Sequence, residues 1–314
     1  MYKIFVDGEH GTTGLKICDR IRQRRDLQLL SLPFEKRHNV AYREDLLSKA
    51  DVSILCLPED ASLQIIKSIE KNRIETRIID TSTAHRTSKD WIYGFPEMDI
   101  SQTNKIRSAK YVSNPGCYAT AAISILRPLR KAKILPDCYP IIISAISGYT
   151  GGGKKLISRM EKKNIEDTIK INHFFYSLDL THKHLSEITK YGLIKKKPIF
   201  SPSVGRFPQG IVLQIPLYLE KLSWDSTLKE IHNIFHEYYN YKGQDVISVI
   251  PLEISSKMDF VDCEMMVGSD KMNILIFGSP KSPHINIMAV LDNLGKGASG
   301  AAIQNMDIIL SSYL

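Results

Sequence analysis

The sequence holds no run close to the roughly 18 consecutive apolar residues that a membrane-crossing helix needs. Its N-terminus leads from Tyr2 to Val6 straight into Asp7, without the apolar stretch of a secretory signal. The expectation is a cytoplasmic chain with no membrane partner. Cysteine is sparse: Cys18, Cys56, Cys117, Cys138 and Cys263 are scattered, odd in number and never spaced C-x-x-C. That argues against a disulfide framework and against a thiolate metal site. Repeats and low-complexity tracts are missing too, which removes solenoids and disordered linkers. Cations are in excess, with a formal net charge of +8, yet they spread over patches such as Arg20 to Arg25, Lys162 with Lys163, and Lys195 to Lys197. These patches lack the interleaved aromatics of a nucleic-acid surface, so they read as solvated faces and no nucleic-acid partner is expected.

What is present suffices for a sizeable core: 314 residues, 43% hydrophobic and 24% charged, a length that suggests two domains. The first third alternates short apolar runs with amphipathic stretches. Lys3 to Val6 is followed by a glycine turn and by Leu15, Ile17 and Ile21 at near-helical spacing; further strands read at Leu27 to Leu32, Val52 to Leu57 and Arg77 to Ile79, with a helix over Ala61 to Lys71. Such alternation predicts an α/β, Rossmann-type domain with a mostly parallel sheet. The stretch from Cys117 to about Arg130 reads as helix, and Ile141 to Ile143 as an intensely β-branched strand. Later strands are expected at Ile211 to Leu219, Val246 to Ile250, Asp262 to Val267 and Asn273 to Phe277, with one helix over Ser226 to Tyr239. Few helices interrupt those strands, so the second domain reads as α+β with a mixed sheet. Gly297 to Leu310 is an Ala-rich helix placed to pack back on the first domain. The domains are therefore set at 1–113, completed by about 293–314, and 114–292.

Gly8, Gly11 and Gly14 form a G-x-x-G-x-x-G series between a strand and a helix, where missing side chains let backbone approach a pyrophosphate at a helix N-terminus. At the end of the second strand Glu35 is followed by Lys36, Arg37 and His38; the cations favour NADP, while Glu35 leaves NAD open. In Ser113 to Thr120 the turn Asn114-Pro115-Gly116 sets Cys117 at the start of a helix. Amide hydrogens and the macrodipole there stabilise a thiolate, and the same donors suit an oxyanion. Thr181 to Glu187 supplies a partner: His182, His184 and Glu187 lie close in sequence, and a carboxylate can orient an imidazole for proton transfer. Metal binding by the same three is the rival reading, but their spacing fits no zinc signature, and no metal is expected. Two loops suit anions, Ser147 to Lys154 with Ser147 and Gly148 at its start, and Asp80 to Arg86 with its arginine. Arg206, in Gly205 to Gly210, is placed to pair with a substrate carboxylate.

With these residues in hand the chain resembles the N-acetyl-gamma-glutamyl-phosphate reductase family in its shorter form, within the glyceraldehyde-3-phosphate dehydrogenase-like superfamily. The likeness runs nearly end to end through Asp7 to Leu15, Leu55 to Pro58, Asp80 to Arg86, Tyr93 to Glu97, Ser113 to Thr120, Ser147 to Lys154, Thr181 to Glu187, Gly205 to Gly210 and Asp292 to Ala298. His10 departs from the small residue usual at its position. The resemblance implies an NADP-binding domain, in which Thr12 and Thr13 join the glycines, and a catalytic domain whose nucleophile is Cys117 and whose active-site histidines fall on His182 and His184. It implies a homo-oligomer, dimer or tetramer, and a small acyl-phosphate substrate. The expected reaction is NADPH-dependent reduction of N-acetyl-L-glutamyl 5-phosphate through a Cys117 thioester in arginine biosynthesis, with Asn114 and Arg86 near the departing phosphate and Asn293 at the nicotinamide carboxamide. The nearest rivals are an aspartate-semialdehyde dehydrogenase-like or lysine-pathway acyl-phosphate reductase; a non-catalytic nucleic-acid-binding module is the rival of another class.

Overall fold

The computed structural model describes residues 1–161, 167–224, 226–241, 243–279 and 281–313, so the Lys162 and Lys163 patch lies outside the described residues. Its first elements are β1 (Tyr2–Asp7), α1 (Thr12–Arg22), β2 (Leu27–Leu30), α2 (Val40–Lys49), β3 (Val52–Leu55), α3 (Glu59–Lys71), β4 (Arg77–Asp80), β5 (Ile92–Tyr93), α4 (Gln102–Ser108) and β6 (Tyr111–Ser113). The six strands form one parallel sheet in the order β2-β1-β3-β4-β6-β5. The chain reverses direction of winding between β1 and β3, and at such a point the carboxyl ends of the strands open a crevice.

Next come α5 (Cys117–Lys131), β7 (Ile142–Gly148), α6 (Gly153–Glu161), β8 (His173–Phe175), α7 (Leu185–Tyr191), β9 (Ile199–Gly205), β10 (Ile211–Tyr218), α8 (Leu228–Tyr239), β11 (Ile247–Val249), the single turn α9 (Leu252–Ser255), β12 (Met272–Gly278) and β13 (His284–Leu291). Here the sheet is mixed, in the order β11-β12-β13-β10-β7-β9-β8, with β7–β9 and β11–β12 parallel and the other pairs antiparallel. Period-two alternation is plain in β10, where Ile211, Leu213, Ile215 and Leu217 are buried while Pro216 and Tyr218 are exposed. α8 begins on a reciprocal cap, Thr227 Oγ1 accepting from the Glu230 amide and Glu230 accepting from the Thr227 amide.

The last helix, α10 (Gly300–Leu310), returns to the parallel sheet. Ala302, Met306, Ile309 and Leu310 share a core with Ile4 and Val6 of β1 and Ile17 and Ile21 of α1, whereas Phe5 points the other way into Leu46, Leu47, Ile65 and Ile66 of α2 and α3. Burial on both faces explains why these strands read as unbroken apolar runs. Each such side chain contributes about 1.5–3 kcal/mol on leaving water. The chain thus divides into Met1–Gly116 with Ala298–Leu314, and Cys117–Gly297; the sequence reading set these divisions at 113/114 and 292/293.

Two expected elements differ. Asp262 to Val267 is a run of turns, because the Asp262 carboxylate accepts the Glu264 amide at 2.9 Å and Val267 N–H donates to Glu264 O, which takes these groups from any strand ladder. The last helix starts at Gly300, and Gly295–Ser299 forms a wider π turn ahead of it.

Candidate active site

Cys117 is the first residue of α5, directly after the Asn114-Pro115-Gly116 turn, and its side chain is partly exposed. Tyr118 beside it is buried, and packs its ring edge-on to His182 at 5.7 Å and to Phe200 at 5.3 Å, with His184 at 6.0 Å. His182 and His184 meet at 4.7 Å between ring centroids, nearly perpendicular. Both rings are buried, as is Glu187. His184 Nε2 lies 3.9 Å from Glu187 Oε1. His184 is the residue that precedes α7 and Glu187 is in its first turn, so the start of this helix fixes both.

Sequence reasoning missed the two tyrosines that link these parts. Tyr176 Oη lies 3.2 Å from His182 Nε2, and Tyr118 Oη donates to Ser203 O at 3.2 Å. Tyr176 and Ser147 are further hydrogen-bond partners of Tyr118. The direction of this chain is set at both ends, because a backbone N–H only donates and a carbonyl only accepts. His184 N–H donates to His182 Nδ1 at 3.1 Å, so neutral His182 carries its proton on Nε2 and donates it to Tyr176, and the chain ends on Ser203 O. Burial pushes both phenols well up, and the charge of the Cys117 sulfur adds to it in each case; both are neutral donors near pH 7. The loop delivering His182 holds Ser177 and Leu180 at φ of 53° and 59°, left-handed conformations that non-glycine residues rarely adopt. The Asp179 carboxylate braces it by accepting from the Thr181 hydroxyl.

Three loops singled out in the sequence come together in this unit. Gly148 N–H donates to Gly210 O at 2.9 Å, and Thr150 N–H to Pro208 O at 3.1 Å. Gly148 has no alternative there, since a Cβ would stand 2.5 Å from Pro208 O. Asn293 ties the two loops together: its Oδ1 accepts from Gly210 N at 2.8 Å and its Nδ2 donates to Thr150 Oγ1 at 3.0 Å. Its amide thus holds the protein's own loops. The Arg206 guanidinium donates to the carbonyls of Met160, Ile169 and Ile171 and so pins the segment before β8. In the π turn a Cβ on Gly297 would stand 2.8 Å from Cys117 Cβ, so only glycine lets this turn lie against the cysteine. Lys296 next to it is fully buried, a feature no sequence signal marked.

In the parallel-sheet unit, Gly8 at φ +89° and Gly14 are required by the chain itself: a Cβ on either would stand 2.3 Å from a carbonyl oxygen, of Cys56 or of Gly8. Gly11 precedes α1 with no side-chain cap, and the first turn of α1, which includes Thr12 and Thr13, holds no acidic residue. Amides at such an end attract an anion. Lys36 and Arg37 follow β2, both exposed, with Lys36 Nζ 4.4 Å above the Tyr42 ring and the Arg37 guanidinium 3.8 Å above Phe34. His10 meets Phe34 edge-on at 5.1 Å.

Arg86 is buried and donates from Nε to Asn114 O and from Nη2 to Thr81 O, both at 3.0 Å, so these hydrogens brace the turn that leads to Cys117. Asn114 in turn donates to Ala298 O at 3.0 Å and accepts from Asn305 at 3.1 Å. Asp80 organises the same loop, accepting from the Ser82 amide, the Ser82 hydroxyl and His85 Nδ1 at 2.9, 2.8 and 2.7 Å. Asn305 carries no recognisable local pattern, and the Asp80–His85 pair lies inside the Asp80 to Arg86 stretch without the sequence marking the two as partners. All five cysteines are free thiols, and no group of three metal-ligating side chains gathers among the described residues.

Comparison with known proteins places this geometry. Residues 8–106 match the family model for the semialdehyde dehydrogenase NAD binding domain, and residues 117–293 that for the semialdehyde dehydrogenase dimerisation domain. The chain is 54% identical over 310 residues to N-acetyl-gamma-glutamyl-phosphate reductase of Allorhizobium ampelinum, and 53% identical over 310 residues to that of Rhizobium meliloti, with 99% of each chain covered. Among solved structures, aspartate semialdehyde dehydrogenase II of Vibrio cholerae complexed with ASA aligns over 100% of this chain and 99% of its own, at TM-score 0.72 and 15% identity. Aspartate semialdehyde dehydrogenase of Candida albicans with NADP aligns over 100% and 99%, at TM-score 0.68 and 14% identity. The likeness to these structures is one of fold.

Proposed function

Since the chain belongs to the N-acetyl-gamma-glutamyl-phosphate reductase family, we propose that it reduces N-acetyl-L-glutamyl 5-phosphate to the 5-semialdehyde and phosphate, as a step of arginine biosynthesis, with Cys117 as the covalent nucleophile. The observation that carries this reading is the position of Cys117 at the first turn of α5, in the same unit as a hydrogen-bonded Tyr118–Tyr176–His182 chain. The Cys117 thiolate attacks the acyl carbon, phosphate leaves, and a thioester remains. NADPH, when bound, supplies the hydride. The uncapped first turn of α1 and the Lys36 and Arg37 cations fit such a dinucleotide, with Gly8, Gly11, Thr12, Thr13 and Gly14 forming the turn.

His182 is held as the Nε2–H tautomer by the His184 amide, so it serves to orient and to donate, and His184, beside the Glu187 carboxylate, is the acid and base that returns Cys117 to its resting state. Arg86 and Asn114 fix the turn ahead of the nucleophile, and Ser147 and Gly148 are our candidates for binding the departing phosphate. The parallel-sheet unit is the nucleotide-binding domain and Cys117–Gly297 the catalytic one. We read the enzyme as a cytoplasmic homodimer or homotetramer; the match of residues 117–293 to the semialdehyde dehydrogenase dimerisation domain supports self-association. On the mixed-sheet unit a cavity of about 510 Å³ is lined by Ile146, Val212, Phe277 and Met288, with Phe260 at its edge 79% exposed, an apolar face suited to self-association.

The reverse reaction tests substrate and cofactor together. Oxidation of N-acetyl-glutamate semialdehyde with phosphate and NADP, faster than with NAD and faster than with aspartate semialdehyde, is the expected result. Preference for aspartate semialdehyde moves the chain to the aspartate branch of the superfamily.

A further inference from the structure

The carboxylate of Asp7 stands at the carboxyl end of β1, directly before the Gly8 turn, and is 2% exposed. It lies at the winding reversal of the sheet, paired in register with Leu55 of β3, so it faces the place where a parallel α/β sheet takes its ligand. A carboxylate there works against an anion at the start of α1. Burial raises its pKa, and Arg43 opposes that rise. Arg43 reaches it from α2: Nε donates to Asp7 Oδ2 at 2.9 Å and Nη2 to the same oxygen at 2.5 Å, with the arginine side chain only 13% exposed. Nothing in the sequence pairs these two residues, which are 36 positions apart.

We infer that Arg43 is a positioning residue for the dinucleotide: it masks the Asp7 charge beside the pyrophosphate turn and ties α2 to β1. Because Asn39 caps α2 by accepting the Tyr42 amide, the same tie fixes the segment that carries Lys36 and Arg37. The inference rests on the nucleotide reading given above, and on one physical contrast. Removing Arg43 alone leaves an uncompensated buried carboxylate, whereas removing both charges leaves a neutral pair of similar volume. Masking acts on the pyrophosphate, which NADPH and NADH share. A cation that left Asp7 to hold the 2′-phosphate would act on NADPH alone.

The test is equilibrium titration of NADPH and NADH with the full-length protein, read by nucleotide fluorescence and independent of turnover, for wild type, Arg43→Met, Asp7→Asn and the double variant. Folding is checked by circular dichroism. Masking predicts that Arg43→Met weakens both nucleotides about tenfold or more, that Asp7→Asn binds at least as tightly as wild type, and that the double variant returns to within about threefold of wild type. A double variant as weak as Arg43→Met, a loss confined to NADPH, or an Asp7→Asn variant that binds tenfold more weakly overturns the inference. Should Arg43→Met not fold, the Asp7→Asn and double variants still decide it. Failure of the wild type to bind either nucleotide would instead sink the nucleotide reading itself.

Discussion

The backbone N–H of His184 donates to Nδ1 of His182 at 3.1 Å, and this one bond gives two neighbouring imidazoles different work. His182 cannot gain a second proton without breaking it, while its Nε2–H already points to Tyr176. His184→Asn is therefore expected to lower kcat by about 10²–10⁴-fold, the usual worth of a proton-transferring group. His182→Asn is expected to cost about tenfold and to be mimicked by Tyr176→Phe, because both break the same chain. Steady-state kinetics on the three variants checks this, and a His182 loss larger than the His184 loss contradicts it.

Gly297 lies against the nucleophile. With a Cβ there only 2.8 Å from Cys117 Cβ, Gly297→Ala has to displace the start of α5 or the π turn. The expected outcome is a fall in kcat of about tenfold to a hundredfold, as follows from misplacing a reacting atom by a fraction of an ångström to an ångström. Nucleotide affinity, measured by titration, is expected to stay within about twofold, since the dinucleotide turn belongs to the other unit.

The glycine series separates into two kinds of requirement. Gly8→Ala combines a positive φ with a 2.3 Å approach to Cys56 O, so it should destabilise the protein by more than about 2 kcal/mol in denaturant unfolding. At Gly11 the nearest neighbour of an added Cβ is Gly8 O at 3.3 Å, a tight but adjustable contact. Gly11→Ala should cost little stability, and weaken NADPH instead by crowding the amides of α1. Equal destabilisation by the two substitutions would show that the turn has no ligand-facing member.

Much of this architecture is legible in the sequence because it rests on local chemistry. The β1–α1 unit shows in Gly8, Gly11 and Gly14 and in the spacing of Leu15, Ile17 and Ile21; Cys117 shows because Asn114-Pro115-Gly116 both turns the chain and starts a helix. β9 was hidden by Pro202, which reads as a breaker inside a strand, although its carbonyl still accepts the Tyr176 amide at 3.2 Å. Arg43 and Asn305 were hidden for another reason: each acts on a partner brought close only by the tertiary fold, as the 191 positions between Asn305 and Asn114 show. The same limit hid the internal bonds of Asn293 and Arg206, whose polar groups look open in a loop although carbonyls and amides fold against them.

The cysteines differ by environment. Burial pushes the thiols of Cys18 and Cys56 up to about 12 from an ordinary 9.0, so near pH 8 both remain protonated and unreactive. Iodoacetamide at pH 7.5 followed by peptide mapping is expected to label Cys117 first and the exposed Cys138 next, sparing Cys18 and Cys56. The raised thiols also carry a pH signature: with the folded pKa above the unfolded one, the stability they contribute is complete below about pH 9 and lost as pH rises towards 12. Labelling of Cys56 at a rate equal to Cys117 at pH 7.5 would contradict its environment.

Covalent chemistry at Cys117 can be seen most directly by leaving phosphate out. With N-acetyl-glutamate semialdehyde and NADP but no phosphate, aldehyde oxidation can proceed only as far as the thioester, so the wild-type enzyme should release a rapid burst of NADPH equal to its active sites and then nearly stop until phosphate is added. Cys117→Ser should fold, bind the nucleotide and give no burst. A full burst from Cys117→Ser, or steady wild-type turnover without phosphate and with no burst, would contradict the account.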